Sequence, residues 1–168
     1  CTFLIIIVAQ FSFAQTSPGG VAPEVWTRAE KDVYIDAGTT LAADGQTVQQ
    51  WNDQATEVIQ NMAQGTAARR LTYNNAPGKF LNFNPRLYYT ATDDYMGTTG
   101  TSPQNAAAQT VYVVHIPDAT GAINTFCGFG PNMEGPGWYF NGGTIQLWSY
   151  GAWPGAPVNG LAANRPFI

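Results

Sequence analysis

Apolar and polar positions along this chain alternate with period two far more often than with the 3.6-residue period of an amphipathic helix. The segment 109–116, reading QTVYVVHI, is β-branched or aromatic at nearly every position. It carries no Gly, Pro or charge from Thr110 to Ile116. Such a run predicts a strand buried on both faces in the middle of a sheet. Downstream, residues 137–140 and 144–150 alternate around Asn141-Gly142-Gly143, residue types that supply the positive φ of a tight hairpin turn. With Gly142-Gly143 as a two-residue turn, Phe140 faces Ile145 and Trp138 faces Leu147 on one side. Tyr139, Asn141, Thr144, Gln146 and Trp148 fall on the other.

The same period predicts a strand over 26–36, where Glu30, Asp32, Tyr34 and Asp36 alternate against Lys31, Val33 and Ile35. Shorter strands are expected at 47–51, 71–73, 79–83, 87–90 and 122–129. Residues 54–70 hold the one stretch with any helical pattern, and it is poor, so they read as loop with one helical turn. Residues 97–108 are small and polar and read as loop. The expectation is an all-β chain.

Composition agrees. Only 11% of residues are charged, while 18 Gly, 11 Pro and 13% aromatics suit many short strands joined by turns. The length suits a single domain. A net charge of −4 argues against nucleic acid and against anionic membrane surfaces as partners. Arg69-Arg70 is the only basic pair, and a solvated loop accounts for it.

The apolar start, Cys1 to Val8, followed by Ser12-Phe13-Ala14, has the h-region and small-x-small site of a secretory signal and is too short to span a bilayer. The organisation read from this is a signal peptide over 1–14, incomplete at its start because no Met or basic segment precedes the apolar run. A flexible leader over 15–20 and one domain over 21–168 follow. The mature chain is then secreted or held at the cell surface, has no membrane span, and keeps one cysteine, Cys127, too few for an internal disulfide.

Val48-Gln49-Gln50-Trp51-Asn52-Asp53-Gln54, then Asn82-Phe83-Asn84-Pro85 with Thr92-Asp93-Asp94-Tyr95-Met96, then Thr110-Val111-Tyr112-Val113-Val114 and Gly128-Phe129-Gly130 occur in this order. The series resembles the LamG-like, concanavalin A-like domains of unknown function found in secreted bacterial surface proteins. Tyr89-Thr90-Ala91 departs from that family's Phe-Asp-Gly. The resemblance implies a concanavalin A-like jelly-roll sandwich of two antiparallel sheets, here ending before its last strands. It also implies a module for binding or adhesion. The same fold hosts glycan hydrolases and lyases, and fold alone does not choose between them.

Candidate chemistry is sparse. A retaining glycosidase needs two carboxyl groups about 5–5.5 Å apart. Only Glu30 and Asp32 have the i, i+2 spacing that a strand face would give them, with Tyr34 where a third acid would stand. An exposed acidic strand face is the ordinary explanation, so no catalytic residue is assigned. His115 and Cys127 fall too far apart along adjacent strands to form a nucleophilic dyad, and they cannot fill a zinc shell alone. Asp93 and Asp94, or Asn52-Asp53, offer hard oxygen ligands for calcium, although paired Asp residues in turns more often bond the local backbone. Tyr139, Asn141, Gln146 and Trp148 form an amphipathic strip of the kind that stacks on a sugar ring while amides bond its hydroxyls. The function expected is a non-catalytic extracellular module binding a glycan or another cell-surface polymer. A polysaccharide hydrolase or lyase and a ligand-free structural spacer are the alternatives.

Overall fold

In a computed structural model, the described residues are 20, 22–56, 59–81, 83–98, 111–116, 124–128, 137–141 and 144–148, with backbone alone for 124–128, 137–141 and 147–148. They form nine strands and almost no helix. In chain order the strands are β1 (Val33–Tyr34), β2 (Gln50–Trp51), β3 (Met62–Ala63), β4 (Thr72–Asn74), β5 (Arg86–Tyr88), β6 (Gly97–Thr98), β7 (Asn124–Gly128), β8 (Gly137–Asn141) and β9 (Thr144–Trp148). One 3-10 turn, Ala67–Arg69, lies between β3 and β4. All pairings are antiparallel: β1-β2-β3-β6, β4-β5 and β7-β8-β9. The chain is therefore all-β, as the alternating pattern predicts.

The first two sheets share a core. Val33 of β1 and Tyr73 of β4 are buried with Val48, and Trp51, Leu87, Ala42 and Met96 pack against them. Side chains from both sheets thus meet in one apolar layer. One stretch of chain serves both sheets. Thr47 bridges Thr72, and three residues later Gln50 pairs with Tyr34 and with Ala63. Val48, fully buried, sits at the crossing, where its N–H donates to Leu71 O at 2.8 Å.

Three expected strands are corrected. Over 26–36 only Val33–Tyr34 is strand. Arg28 O accepts the N–H of Lys31 at 3.0 Å, and Asp32 follows in the left-handed region at φ 54°. The cause lies upstream, because both backbone groups of Trp26 are bonded to the 53–54 loop, so the chain turns before it can enter β1. Among the described residues of 79–83 none is strand either. Leu81 and Asn84 exchange both backbone bonds, at 2.9 and 3.0 Å, and close a tight turn.

The segment 111–116 is not a buried central strand. It makes one isolated bridge, at His115, and its burial alternates. Val111, Val113 and His115 are half-buried, whereas Tyr112 and Val114 are 79% and 55% exposed. β-branched residues suit a pleated, half-buried surface as well as a fully buried one, so an unbroken apolar run did not imply two covered faces.

Elsewhere the sequence reading holds more closely. β4, β5 and β7 fall within a residue or two of their expected positions, and residues 54–70 contain a helical turn. Two short strands, β3 and β6, fall in stretches read as loop. They pair with each other through Met62↔Thr98 and Ala63↔Gly97. The leader and signal residues 1–19 lie outside the described residues. Among the described residues no helix is long and apolar enough to cross a membrane.

Candidate functional site

The hairpin β8–β9 has the register that its alternation predicts. Trp138 pairs with Leu147, Phe140 with Ile145, Tyr139 with Gln146, Asn141 with Thr144 and Gly137 with Trp148. Antiparallel partners share a face and neighbours along a strand alternate, which is why the period sets the register once the turn length is fixed. β7 continues the sheet on the other side of β8, with an irregularity between Thr125 and Cys127 that leaves Cys127 opposite Trp138. Of the expected binding strip, Gln146 is half-buried, as is Thr144 beside it. The side chains of Tyr139, Asn141 and Trp148 lie outside the described residues.

Asp93 and Asp94 engage different partners. Asp93 is exposed, and its Oδ2 lies 3.3 Å from Nε of Arg69. Asp94 is only 7% exposed. Its Oδ2 accepts from the N–H of Thr90 at 2.7 Å, the Thr90 hydroxyl at 2.9 Å and the N–H of Ala91 at 3.0 Å. Oδ1 of Asp94 is buried without a hydrogen-bond partner. Among the described residues no group of three or more His, Cys, Asp or Glu side chains is placed to hold a metal.

The turn at 28–31 removes the strand face that would have carried an acid ladder. Glu30 pairs with Arg28, which also lies over the Trp26 ring at 5.3 Å. Asp32 Oδ2 instead accepts from Nε2 of Gln54 at 3.1 Å, and the Tyr34 hydroxyl sits at a long 3.5 Å from Oδ1. Desolvation, and then the neighbouring carboxylates of Asp32 and Asp36, push the Tyr34 phenol up.

Asp53, from the Trp-Asn-Asp-Gln motif, is buried and holds three backbone N–H groups. Oδ1 accepts from Trp26 at 2.7 Å and Ala55 at 2.9 Å, and Oδ2 from Gln60 at 2.9 Å. Asp36 caps its own turn by accepting the N–H groups of Thr39 and Thr40, and hydrogen bonds from the Thr40 side chain and then from these N–H groups lower its pKa to about 2. Asp44 accepts from Lys79 Nζ at 2.9 Å and from the N–H of Asn75 at 2.8 Å, and both lower its pKa. Exposed Tyr95 is lowered too, by hydrogen bonding to Gln64 and Arg69. These carboxylates fasten loops; each is engaged with backbone donors or with a single cation.

One cluster leaves almost no mark on the hydrophobic pattern. Arg86, Tyr88, Tyr89 and His115 line a common pocket, and its only trace in the sequence is the i, i+2 spacing of Arg86 and Tyr88. His115 sets its ring edge-on to Tyr89 with centroids 6.1 Å apart. No family model, no curated protein and no solved structure matches the chain.

Proposed function

We propose that this chain is a non-catalytic extracellular binding module of concanavalin A-like, jelly-roll type, carried at the N-terminus of a larger surface protein. It retains a glycan or similar cell-surface polymer on the polar-aromatic side of the β8–β9 hairpin. The observation that carries this reading is the register Gly137↔Trp148 and Tyr139↔Gln146. It sets Trp148 opposite a residue with no side chain and aligns Gln146 with an aromatic, the combination of ring face and amide that sugars favour. The antiparallel sheets that share a core, and the segment 47–51 that passes between them, are compatible with a sandwich. A hydrolase using Glu30 and Asp32 draws no support from the turn that separates them.

Two substitutions test the reading. Trp138→Ala, on the opposite parity, should cost about 3–5 kcal/mol as a large-to-small change in a core. Trp148→Ala should leave the melting temperature nearly unchanged and abolish retention on a column of immobilised bacterial surface polysaccharide. If Trp148→Ala unfolds the domain as badly as Trp138→Ala, the binding face is wrong.

A further inference from the structure

A second site stands apart from the hairpin. Beside β5 lies a pocket of ≈ 70 Å³ whose walls include Leu81, Arg86, Tyr88, Tyr89, His115 and Ile116. Pairing with β4 puts Leu87 opposite Tyr73 of the core, Arg86 opposite Asn74 and Tyr88 opposite Thr72. Arg86 and Tyr88 therefore share one strand face, alternate to that of Leu87. The Arg86 guanidinium lies over the Tyr88 ring, 5.5 Å from its centroid, a cation–π contact.

Four other cations are engaged. Arg28, Arg69 and Lys79 each pair with a carboxylate, and Arg70 donates to Gln49, Gln64 and Gly65. Arg86 differs, because its Nε is buried and has no acceptor among the described residues. A guanidinium N–H removed from water without an acceptor is unfavourable, and the partner that matches its fork is a planar, bidentate oxyanion. The pocket has room for a carboxylate beside Arg86.

The neighbouring turn supplies the rest. Leu81 lines the pocket and closes the turn with Asn84. Phe83, between them in that turn, sits at φ 68° and is 95% exposed. A bulky residue in the left-handed region is strained, and no packing repays the strain here. A ring offered to the apolar face of a ligand gives it a role.

We propose that this pocket binds the carboxylate of a sugar acid, with Arg86 gripping the carboxylate and Phe83 beside the ligand's ring. The site does not depend on the hairpin, so either can fail alone. The chain's single histidine, His115, lines the pocket and serves as a reporter. Its imidazole resonances are followed by NMR at constant pH while the protein is titrated with galacturonate, galactose or sulfate. Galacturonate should shift them saturably and galactose should not. Arg86→Gln should weaken the response at least tenfold, and Arg86→Lys, which keeps charge but loses the fork, severalfold. Trp148→Ala should leave it unchanged, and Arg86→Gln should still be retained on the polysaccharide column. Amide spectra establish that each variant is folded, and if Arg86→Gln is not, Arg86→Lys decides. The proposal is overturned by no saturable shift with galacturonate, by an equal response to galactose or sulfate, or by undiminished binding in the deciding variant.

Discussion

The sheet β7–β9 and the region from Trp26 to Thr98 solve the same problem in different ways. In β7, β8 and β9 each strand has five residues, and β8–β9 pair without interruption over all five. Among the described residues between Trp26 and Thr98 no strand exceeds three residues. There the backbone N–H groups that ladders leave unpaired are taken up by side chains, Asp36, Asp44, Asp53 and Asp94 above all. Backbone polar groups withdrawn from water must be satisfied by something, and a buried carboxylate can accept several of them. Order between Trp26 and Thr98 therefore rests on a few individual residues, whereas the β7–β9 sheet distributes it along main chain that any β-compatible sequence supplies.

The strongest test of that difference is Asp53→Ala. It strands the N–H groups of Trp26, Ala55 and Gln60 and should cost about 3–4 kcal/mol in urea denaturation. The matching change in the sheet, Gln146→Thr, keeps the β9 ladder and should cost under about 1 kcal/mol. Equal losses would erase the distinction. Phe83→Gly sharpens it from the other side. Relief of about 1–2 kcal/mol of left-handed strain, offset by about 0.5–1 for the freer unfolded chain, predicts a net gain of about 0.5–1 kcal/mol by thermal melting. The smallest effect is local and pH-dependent. Asp36 has its pKa depressed to about 2 in the fold, so its cap is intact above the ordinary value of 3.8 and is lost as pH falls through about 2. Amide exchange at Thr39 and Thr40, corrected for intrinsic rates, should accelerate across that window while amides of β8 do not.

The same contrast explains what could be read from the sequence. The β8–β9 register was legible because parity and turn chemistry are local, and two glycines after an asparagine fix both. The 26–36 strand was misjudged because its alternation is real but is overruled from a distance. Asp53 binds Trp26 across 27 residues, and Asp44 binds Asn75 across 31. Such bonds leave no periodic trace. β3 and β6, two residues each, are too short to show a period at all. Of the expected sites, Asp94, named with Asp93 as a calcium candidate, bonds its local backbone, which is the alternative that paired Asp residues in a turn carry. The Arg86 pocket went unseen because its walls come from β5 and from residues 114–116, which only the folded chain brings together.

Asp44-Gly45 has a further consequence, for the chemical lifetime of the chain. An aspartate followed by glycine is prone to spontaneous rearrangement, because the unhindered glycine nitrogen can swing onto the side-chain carbonyl carbon and form a succinimide. Here the Gly45 N–H is bonded to Tyr73 O at 2.8 Å, while the Asp44 carboxylate is held by Asn75 and Lys79. Nucleophile and electrophile are each tied to a different part of β4 and the loop after it, so isoaspartate formation must wait for local opening. The clamp that joins two loops also slows the ageing of the bond between them.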